Sequence, residues 1–205
     1  GKDVENFRVP VEKLKSSYDN LSEEVRDALL LIKDRITAYQ QSIKYKDFHD
    51  GEFSYVYHPL ERIGVYIPGG TALYPSSVLM SAVPAAVAGV ESIVAVTPTF
   101  TDNNITFAAL YIAGVTEVYT VGGAQAIAAL AYGTESIKAV DKITGPGNKY
   151  VALAKKQVFG DVGIDMIAGP SEILLYVDDT ADYAAVAYDI FAQAEHDANA
   201  RTFLL

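Results

Sequence analysis

The sequence predicts an α/β fold with a parallel sheet, preceded by a helical amino-terminal arm. The first observation is a change of pattern: residues 1–45 read as helix, whereas from Phe53 onward short β-branched or aromatic runs alternate with helical segments. This alternation is typical of βαβ units, in which a helix joins each strand to the next parallel strand. The second observation is composition, since half of the 205 residues are apolar. The chain can therefore bury a substantial core.

The amino-terminal arm is predicted from a single apolar stripe. Asn20 and Glu23 have the spacing of a capping box, in which Asn20 accepts a hydrogen bond from an amide of the first turn. Apolar residues then recur every three or four positions, which places them on one face of a long amphipathic helix. These residues are Leu21, Val25, Leu29, Ile32, Ile36, Tyr39 and Ile43.

The remaining elements follow in alternation. We predict strands over residues 55–58, 62–67, 92–97, 117–121, 139–143, 173–177 and 202–205, and helices over 76–88, 103–113, 124–132, 149–159 and 181–195. Because crossovers between parallel strands are right-handed, the carboxyl ends of the strands gather at one edge of the sheet. In open α/β sheets that edge binds ligands. The last predicted strand runs to Leu205, so we expect a truncated domain.

Charge and motif content disfavour several classes of protein. Lys and Arg number 16 against 26 Asp and Glu, a net charge of −10, and no basic stripe is present that would bind nucleic acid. The absence of cysteine excludes disulfides and thiolate metal sites. The apolar stretch over residues 76–90 is too short and too often broken by Pro and Gly to span a membrane. The P-loop, the G-x-S-x-G elbow and the G-x-G-x-x-G fingerprint are also absent. Small-molecule chemistry is favoured.

Three glycine-containing loops follow predicted strands. Residues 122–126 (Gly-Gly-Ala-Gln-Ala) could receive a phosphate at the free amides of a helix start, or could form only a tight turn. In residues 144–149, Asn148 could contact a ligand or could cap the following helix. Tyr66, which precedes Pro-Gly-Gly, could lie against a flat ligand or could pack in the core.

A possible metal-binding pair ends the predicted helix 181–195. Gln193 and His196 share one face because residues i and i+3 are neighbours on a helix. They could point at one metal ion, or could form an ordinary hydrogen-bonded helix end, and two ligands do not hold zinc alone. His49 and His58 lack a partner pattern and are interpreted as structural. The pair Asp178-Asp179 is interpreted as a capping turn.

Five segments together resemble the histidinol dehydrogenase family in their order and spacing. They are residues 64–70 (GVYIPGG), 121–130 (VGGAQAIAAL), 142–148 (KITGPGN), 165–172 (DMIAGPSE) and 193–196 (QAEH). The resemblance covers nearly all of the chain from about Phe53, with a looser match in the helical arm.

The resemblance implies a cytoplasmic, zinc-dependent enzyme of histidine biosynthesis that forms an intertwined homodimer. Such an enzyme oxidises L-histidinol to L-histidine through L-histidinal and reduces two NAD in turn. By position, Tyr66, Gln125 and Asn148 match NAD contacts, Ser171 matches a substrate contact, and Gln193 and His196 match zinc ligands that also border the substrate.

The resemblance also implies a nested layout. Residues 66–171 would form an incomplete Rossmann-like NAD-binding domain, inserted into a second Rossmann-like domain. That second domain would begin after the helical arm within residues 1–65 and continue, truncated, over 172–205. The family's other two zinc ligands and its proton-transferring Glu-His pair would lie beyond Leu205, so we expect this chain to be inactive alone.

Two alternatives remain at this point. One is a catalytically silent nucleotide-binding fragment of another NAD-dependent dehydrogenase. The other is an unrelated NAD-dependent dehydrogenase, which the missing G-x-G-x-x-G fingerprint and the pair Gln193 and His196 argue against.

Overall fold

The computed structural model of the chain describes residues 7–69, 73–98, 104–169, 171–195 and 199–205. The chain divides into two compact units, Gly1–Ile167 and Ala168–Leu205. The layout predicted from the resemblance, with boundaries at residues 66 and 171, remains a prediction. Among the helices of the described ranges, none has the length and apolar character needed to cross a membrane.

The first unit follows the predicted alternation of strands and helices. Its elements are β1 (Arg8–Val9), α1 (Val11–Asp19), α2 (Glu23–Ile43), β2 (Phe48–His49), β3 (Ser54–Tyr55), β4 (Arg62–Tyr66), α3 (Pro75–Ala88), β5 (Ser92–Val96), α4 (Asn104–Ile112), β6 (Glu117–Tyr119), α5 (Gly123–Tyr132), β7 (Lys142–Thr144), α6 (Lys149–Val158) and β8 (Gly163–Ile164). The sheet has the order β1-β6-β5-β4-β7-β8. All neighbouring strands are parallel except β1, which runs antiparallel to β6. The predicted parallel α/β sheet is confirmed.

The strand order reverses direction next to β4. From β4 the chain builds outward to β5 and β6, and then crosses back through α5 to place β7 on the other side of β4. Tyr66 at the end of β4 pairs with Val96 of β5, and Val65 pairs with Thr144 of β7. Because helices before and after such a reversal lie on opposite faces, a crevice opens at the carboxyl ends of the two central strands.

The two faces of this sheet carry separate apolar cores. One core joins the sheet to α1, α2, α3 and α4, with Leu14, Val65 and Leu110 fully buried. The other joins it to α5 and α6, with Ile127 and Ile143 fully buried. Successive side chains of a strand point to opposite faces, so the short apolar runs of β4 and β5 supply both cores.

The amino-terminal arm is helical, as predicted, and α2 is the predicted long amphipathic helix. The predicted capping box is wrong, because Asn20 is the C-cap of α1 while Ser22 caps α2 by accepting the Val25 N–H (3.4 Å). Leu29 of the predicted stripe is buried, and Leu21, Val25 and Ile36 pack partly against the core. Ile32, Tyr39 and Ile43 are exposed instead. The short strands β1, β2 and β8 were not predicted.

The second unit is small and open. It contains β9 (Glu172–Leu175), α7 (Tyr183–Ala194) and β10 (Arg201–Leu204), with β9 and β10 paired in parallel. Asp182 caps α7 by accepting the amide hydrogen of Ala184 (2.9 Å). None of its described residues is buried.

Candidate functional site

Three loops of the first unit meet at the carboxyl edge of the sheet, where the strand order reverses. The hydroxyl of Tyr66, at the end of β4, accepts a hydrogen bond from the N–H of Gly123 at the start of α5 (3.1 Å). A Cβ atom on Gly145, just after β7, would lie 2.2 Å from the Tyr66 carbonyl oxygen. The loops that carry the predicted NAD contacts Tyr66, Gln125 and Asn148 are therefore neighbours.

Tyr66 belongs to the core as well as to this edge. Its residue is 3% exposed and its ring packs in the core shared with α5 and α6. Core packing is therefore the role of the Tyr66 ring. The Tyr66 hydroxyl lies at the loop edge and positions the first residue of α5.

The amino end of α5 has no side-chain cap at its N-cap residue, although the Gly123 N–H donates to the Tyr66 hydroxyl. Gly122 takes the N-cap position, and no side chain of the described ranges caps the helix there. A Cβ on Gly122 would lie 2.5 Å from Cγ of Pro98, and Gly123 has φ of 73°, so both positions require glycine. Gln125 is exposed, with its amide group beside Gly123. The first-turn amides and the positive end of the helix dipole suit an anionic ligand.

Asn148 caps α6. Its Oδ1 accepts hydrogen bonds from the N–H groups of Tyr150 (3.0 Å) and Val151 (3.2 Å). The capping interpretation is confirmed for this atom. The cap uses only Oδ1, so the Nδ2 group of this exposed residue can donate to a ligand.

An ion pair between the buried Lys155 and the partly exposed Asp165, behind the loop at residues 145–148, was not predicted. Lys155 of α6 donates to the carbonyl oxygen of Gly145 (2.6 Å) and to Oδ1 of Asp165 (2.6 Å), and Oδ2 of Asp165 accepts the Gly145 N–H (2.8 Å). The sequence did carry a signal for it. Lys155 shares the apolar face of α6 with Val151 and Val158, a position where a solvated lysine is not expected.

Two threonine hydroxyls at the same edge lack partners. Thr97 follows β5 and Thr144 ends β7, and neither buried Oγ1 atom has a hydrogen-bond partner in the described part of the chain. A buried hydroxyl left unpaired costs about 1–3 kcal/mol.

Three residues of the second unit were predicted to bind substrate or zinc: Ser171, Gln193 and His196. Ser171 is exposed before β9, and its carbonyl oxygen accepts the Arg201 N–H (3.1 Å). Gln193 is half-buried in the last turn of α7, and His196 lies outside the described residues. Within the described ranges no group of three or more His, Cys, Asp or Glu residues is arranged to hold a metal ion.

The acidic pair Asp178-Asp179 forms a turn, as predicted. Oδ1 of Asp178 accepts hydrogen bonds from the hydroxyl (2.6 Å) and the N–H (2.9 Å) of Thr180. These bonds hold the pKa of the Asp178 carboxyl below its ordinary value. A lowered pKa makes the carboxylate a weaker base, so Asp178 is poorly suited to act as a general base.

Comparisons with known proteins decide the family. The sequence profile described as histidinol dehydrogenase matches residues 1–205, the whole of this chain. The chain belongs to the histidinol dehydrogenase family. It is 56% identical over 203 residues to a histidinol dehydrogenase of Staphylococcus saprophyticus and 55% identical over 208 residues to one of Staphylococcus epidermidis.

The fold agrees with that family. The crystal structure of histidinol dehydrogenase from Elizabethkingia anophelis matches 98% of this chain with a TM-score of 0.91 at 36% sequence identity. The chain spans about half the length of the relatives it matches, 48% of the Staphylococcus saprophyticus protein and 50% of the Staphylococcus epidermidis protein.

Proposed function

We propose that this chain is the NAD-binding part of a histidinol dehydrogenase, an oxidoreductase of histidine biosynthesis that converts L-histidinol to L-histidine through L-histidinal. One observation carries the proposal. In a chain that belongs to this family, the loops after β4, β6 and β7 converge at the point where the strand order reverses. That is the position where open α/β sheets bind nucleotides.

The described residues fit NAD. The uncapped start of α5 suits a phosphate group, and glycine at positions 122 and 123 lets a ligand approach the backbone. Gln125 and Asn148 are exposed and carry side-chain amides, while the largely buried Tyr66 has its hydroxyl at the start of α5. NAD, when bound, supplies the hydride acceptor for oxidation of the alcohol.

The zinc and substrate assignments are part of the same proposal. We assign Ser171 to the substrate and Gln193 and His196 to zinc, with both ligands bordering the substrate. Of this pair only Gln193 is described, and an amide oxygen is a weak zinc ligand, so the described set does not make a zinc site.

The remaining parts of the proposal concern the whole protein. We propose a cytoplasmic homodimer in which residues 66–171 are an incomplete Rossmann-like domain inserted into another domain. We also propose that this chain binds NAD without turning over. A silent nucleotide-binding fragment of this kind gives no histidinol-dependent increase in absorbance of NADH, whereas an active chain would.

NADH binding by this chain tests the proposal. The chain has no tryptophan, so the fluorescence of added NADH can be followed directly. Gln125→Ala should raise the Kd by about tenfold, the effect of losing one hydrogen bond to a charged ligand. Alanine is a better helix former than glutamine, so α5 itself should not be weakened.

Gln157→Ala is the matched control, because Gln157 is an exposed glutamine in the last turn of α6, at the end of that helix away from Asn148. It should bind NADH as the unmodified chain does. If the chain binds no NADH, or if both variants lose affinity equally, the assignment of this edge to NAD is wrong.

A further inference from the structure

Lys155 and Asp165 both form hydrogen bonds with the backbone of Gly145, a residue of the proposed cofactor loop. The ammonium group of Lys155 binds the Gly145 carbonyl oxygen, while the Asp165 carboxylate accepts the Gly145 N–H. The pair is closed by its own contact of 2.6 Å, and the Lys155 side chain is only 4% exposed. Both backbone groups of Gly145 are therefore taken by side chains and not by the sheet.

The other side of Gly145 is fixed by β4. Gly145 has φ of 111°, a conformation that L side chains rarely adopt, and a Cβ atom there would collide with the backbone of Tyr66. The ladder between β4 and β7 ends at Thr144. The loop over residues 145–148 is thus held against the end of β4 by the ion pair, beyond the last hydrogen bonds of the sheet.

Core stability alone does not account for a charged pair here. Taking the Lys155 ammonium group out of water is expensive, and its partner Asp165 keeps 30% of its side chain exposed, so the pair gives little net stability compared with an apolar side chain at position 155. The neighbours of Lys155 on the same helix face, Val151 and Val158, are apolar. What an apolar side chain could not do is hold the two backbone groups of Gly145 in fixed directions.

We propose that Lys155 and Asp165 are positioning residues for the cofactor. They hold the loop over residues 145–148 in the conformation in which Asn148 and the start of α6 meet NAD. This inference rests on the proposed function, since it needs a ligand at this edge. Neither residue touches the cofactor; they act through Gly145.

The absence of cysteine from the chain allows a direct test. Lys155→Cys introduces a single thiol. This thiol is alkylated while the chain is unfolded, and the alkylated chain is then refolded. Treatment with 2-bromoethylamine restores an ammonium group on a side chain of lysine length, whereas iodoacetamide leaves a neutral amide. Lys156→Cys, treated in the same two ways, is the matched control, because Lys156 is the exposed neighbour on the same helix.

We expect NADH affinity to follow the charge at position 155 only. The neutral derivative should bind NADH about tenfold or more weakly, as expected for loss of hydrogen bonds from a charged group, and the aminoethylated derivative should recover the affinity. Both derivatives at position 156 should bind as the unmodified chain does. Amide hydrogens in residues 145–151 should exchange faster in the neutral derivative, which reports the loop without any cofactor.

A second variant is used if the neutral derivative does not refold. Lys155→Met combined with Asp165→Asn removes both charges at once, and should fold with near-native thermal stability while still binding NADH weakly. Affinity that falls in step with thermal stability, or that stays unchanged, would overturn the positioning role. If Gln125→Ala weakens NADH binding while the variant with both Lys155→Met and Asp165→Asn does not, only the positioning role fails and the proposed function stands. If the unmodified chain binds no NADH, the proposed function fails with it.

Discussion

Arg62 and Glu117 lie at the amino ends of β4 and β6, at the edge of the sheet opposite the candidate site. Their contact is bidentate, with N–O distances of 3.0 and 2.7 Å, and Arg62 also donates to the Ser92 hydroxyl. Tyr119 donates to Oε1 of Glu117 (2.8 Å). The hydrogen bonds from Arg62, and then that from Tyr119, hold the pKa of the Glu117 carboxyl below its ordinary value despite its partial burial. The charged form is the one that the fold stabilises.

Glu117→Gln should therefore destabilise the protein in a pH-dependent way. Because the pKa of Glu117 is lower in the folded than in the unfolded state, its stabilising contribution is fully present above about pH 5 and is lost as pH falls through the folded value. We expect the free energy of unfolding to drop by about 1–3 kcal/mol at pH 7, with the difference from the unmodified chain shrinking in acid. Urea unfolding at several pH values measures it.

Glu91→Gln is the control for this experiment, because Glu91 is exposed directly before β5. Its effect should be small at every pH. A Glu117 variant whose stability stays parallel to that of the unmodified chain down to pH 3 would contradict the assignment of this pair.

At the residue scale the sequence predicted chemistry better than geometry. Glycine and asparagine after strands correctly predicted loops at the sheet edge, because backbone conformation is a local property. The burial of the Tyr66 ring depends on the packing of α5 and α6, which are remote in sequence. The contact between Lys155 and Asp165 spans ten residues and a strand, so no local pattern predicts it, although a lysine on an apolar helix face pointed to a buried role.

Helix α6 combines a structural cap and a proposed cofactor contact in one residue, Asn148. Two substitutions separate these roles. Asn148→Ala removes the acceptor for Tyr150 and Val151 and should cost about 1 kcal/mol of stability. Asn148→Asp keeps an acceptor, and its charge is favourable at a helix start, so stability should be retained.

NADH binding should respond differently from stability in these two variants. Both lose the Nδ2 donor, and aspartate adds a negative charge that faces an anionic cofactor, so both should bind NADH more weakly than the unmodified chain. Thermal unfolding and NADH titration on the same samples measure the two effects. An Asn148→Asp variant with unchanged affinity would show that Asn148 is a cap and nothing more.

At the element scale, apolar runs bounded by turn residues were predicted well, and two-residue or non-local strands were not. The helices α3 and α5 and the strands β4 and β5 lie within one or two residues of their predicted bounds, because Gly, Pro and polar residues mark the ends of these apolar runs. The strand β1 exists because it pairs with β6, more than a hundred positions away. The break between α1 and α2 depends on Ser22 capping the second helix, one of several polar residues that could have done so.

The two units of the chain differ in how much of their apolar surface is buried. In the first unit the central strands are closed on both faces, and Val65, Val94 and Val96 have no exposed surface. In the second unit the parallel pair of β9 and β10 is open: Leu174 is 61% exposed and Phe203 49%. Parallel strands are normally buried on both faces, and a two-stranded sheet is marginal alone. Local stability should therefore differ along the chain.

Hydrogen exchange should show this difference directly. Amides of β9 and β10 should exchange much faster than those of β4 and β5, because their opening exposes little surface that is not already in water. Mass spectrometry of peptic peptides, with helix α2 as an internal reference for ordinary helical protection, measures both units in one sample. The denaturant dependence supplies the control, since β4 and β5 should open only with global unfolding. Equal protection of β10 and β5 would mean that the second unit is covered by a surface outside the described contacts, as in a dimer, and repeating the experiment at lower protein concentration would reveal it.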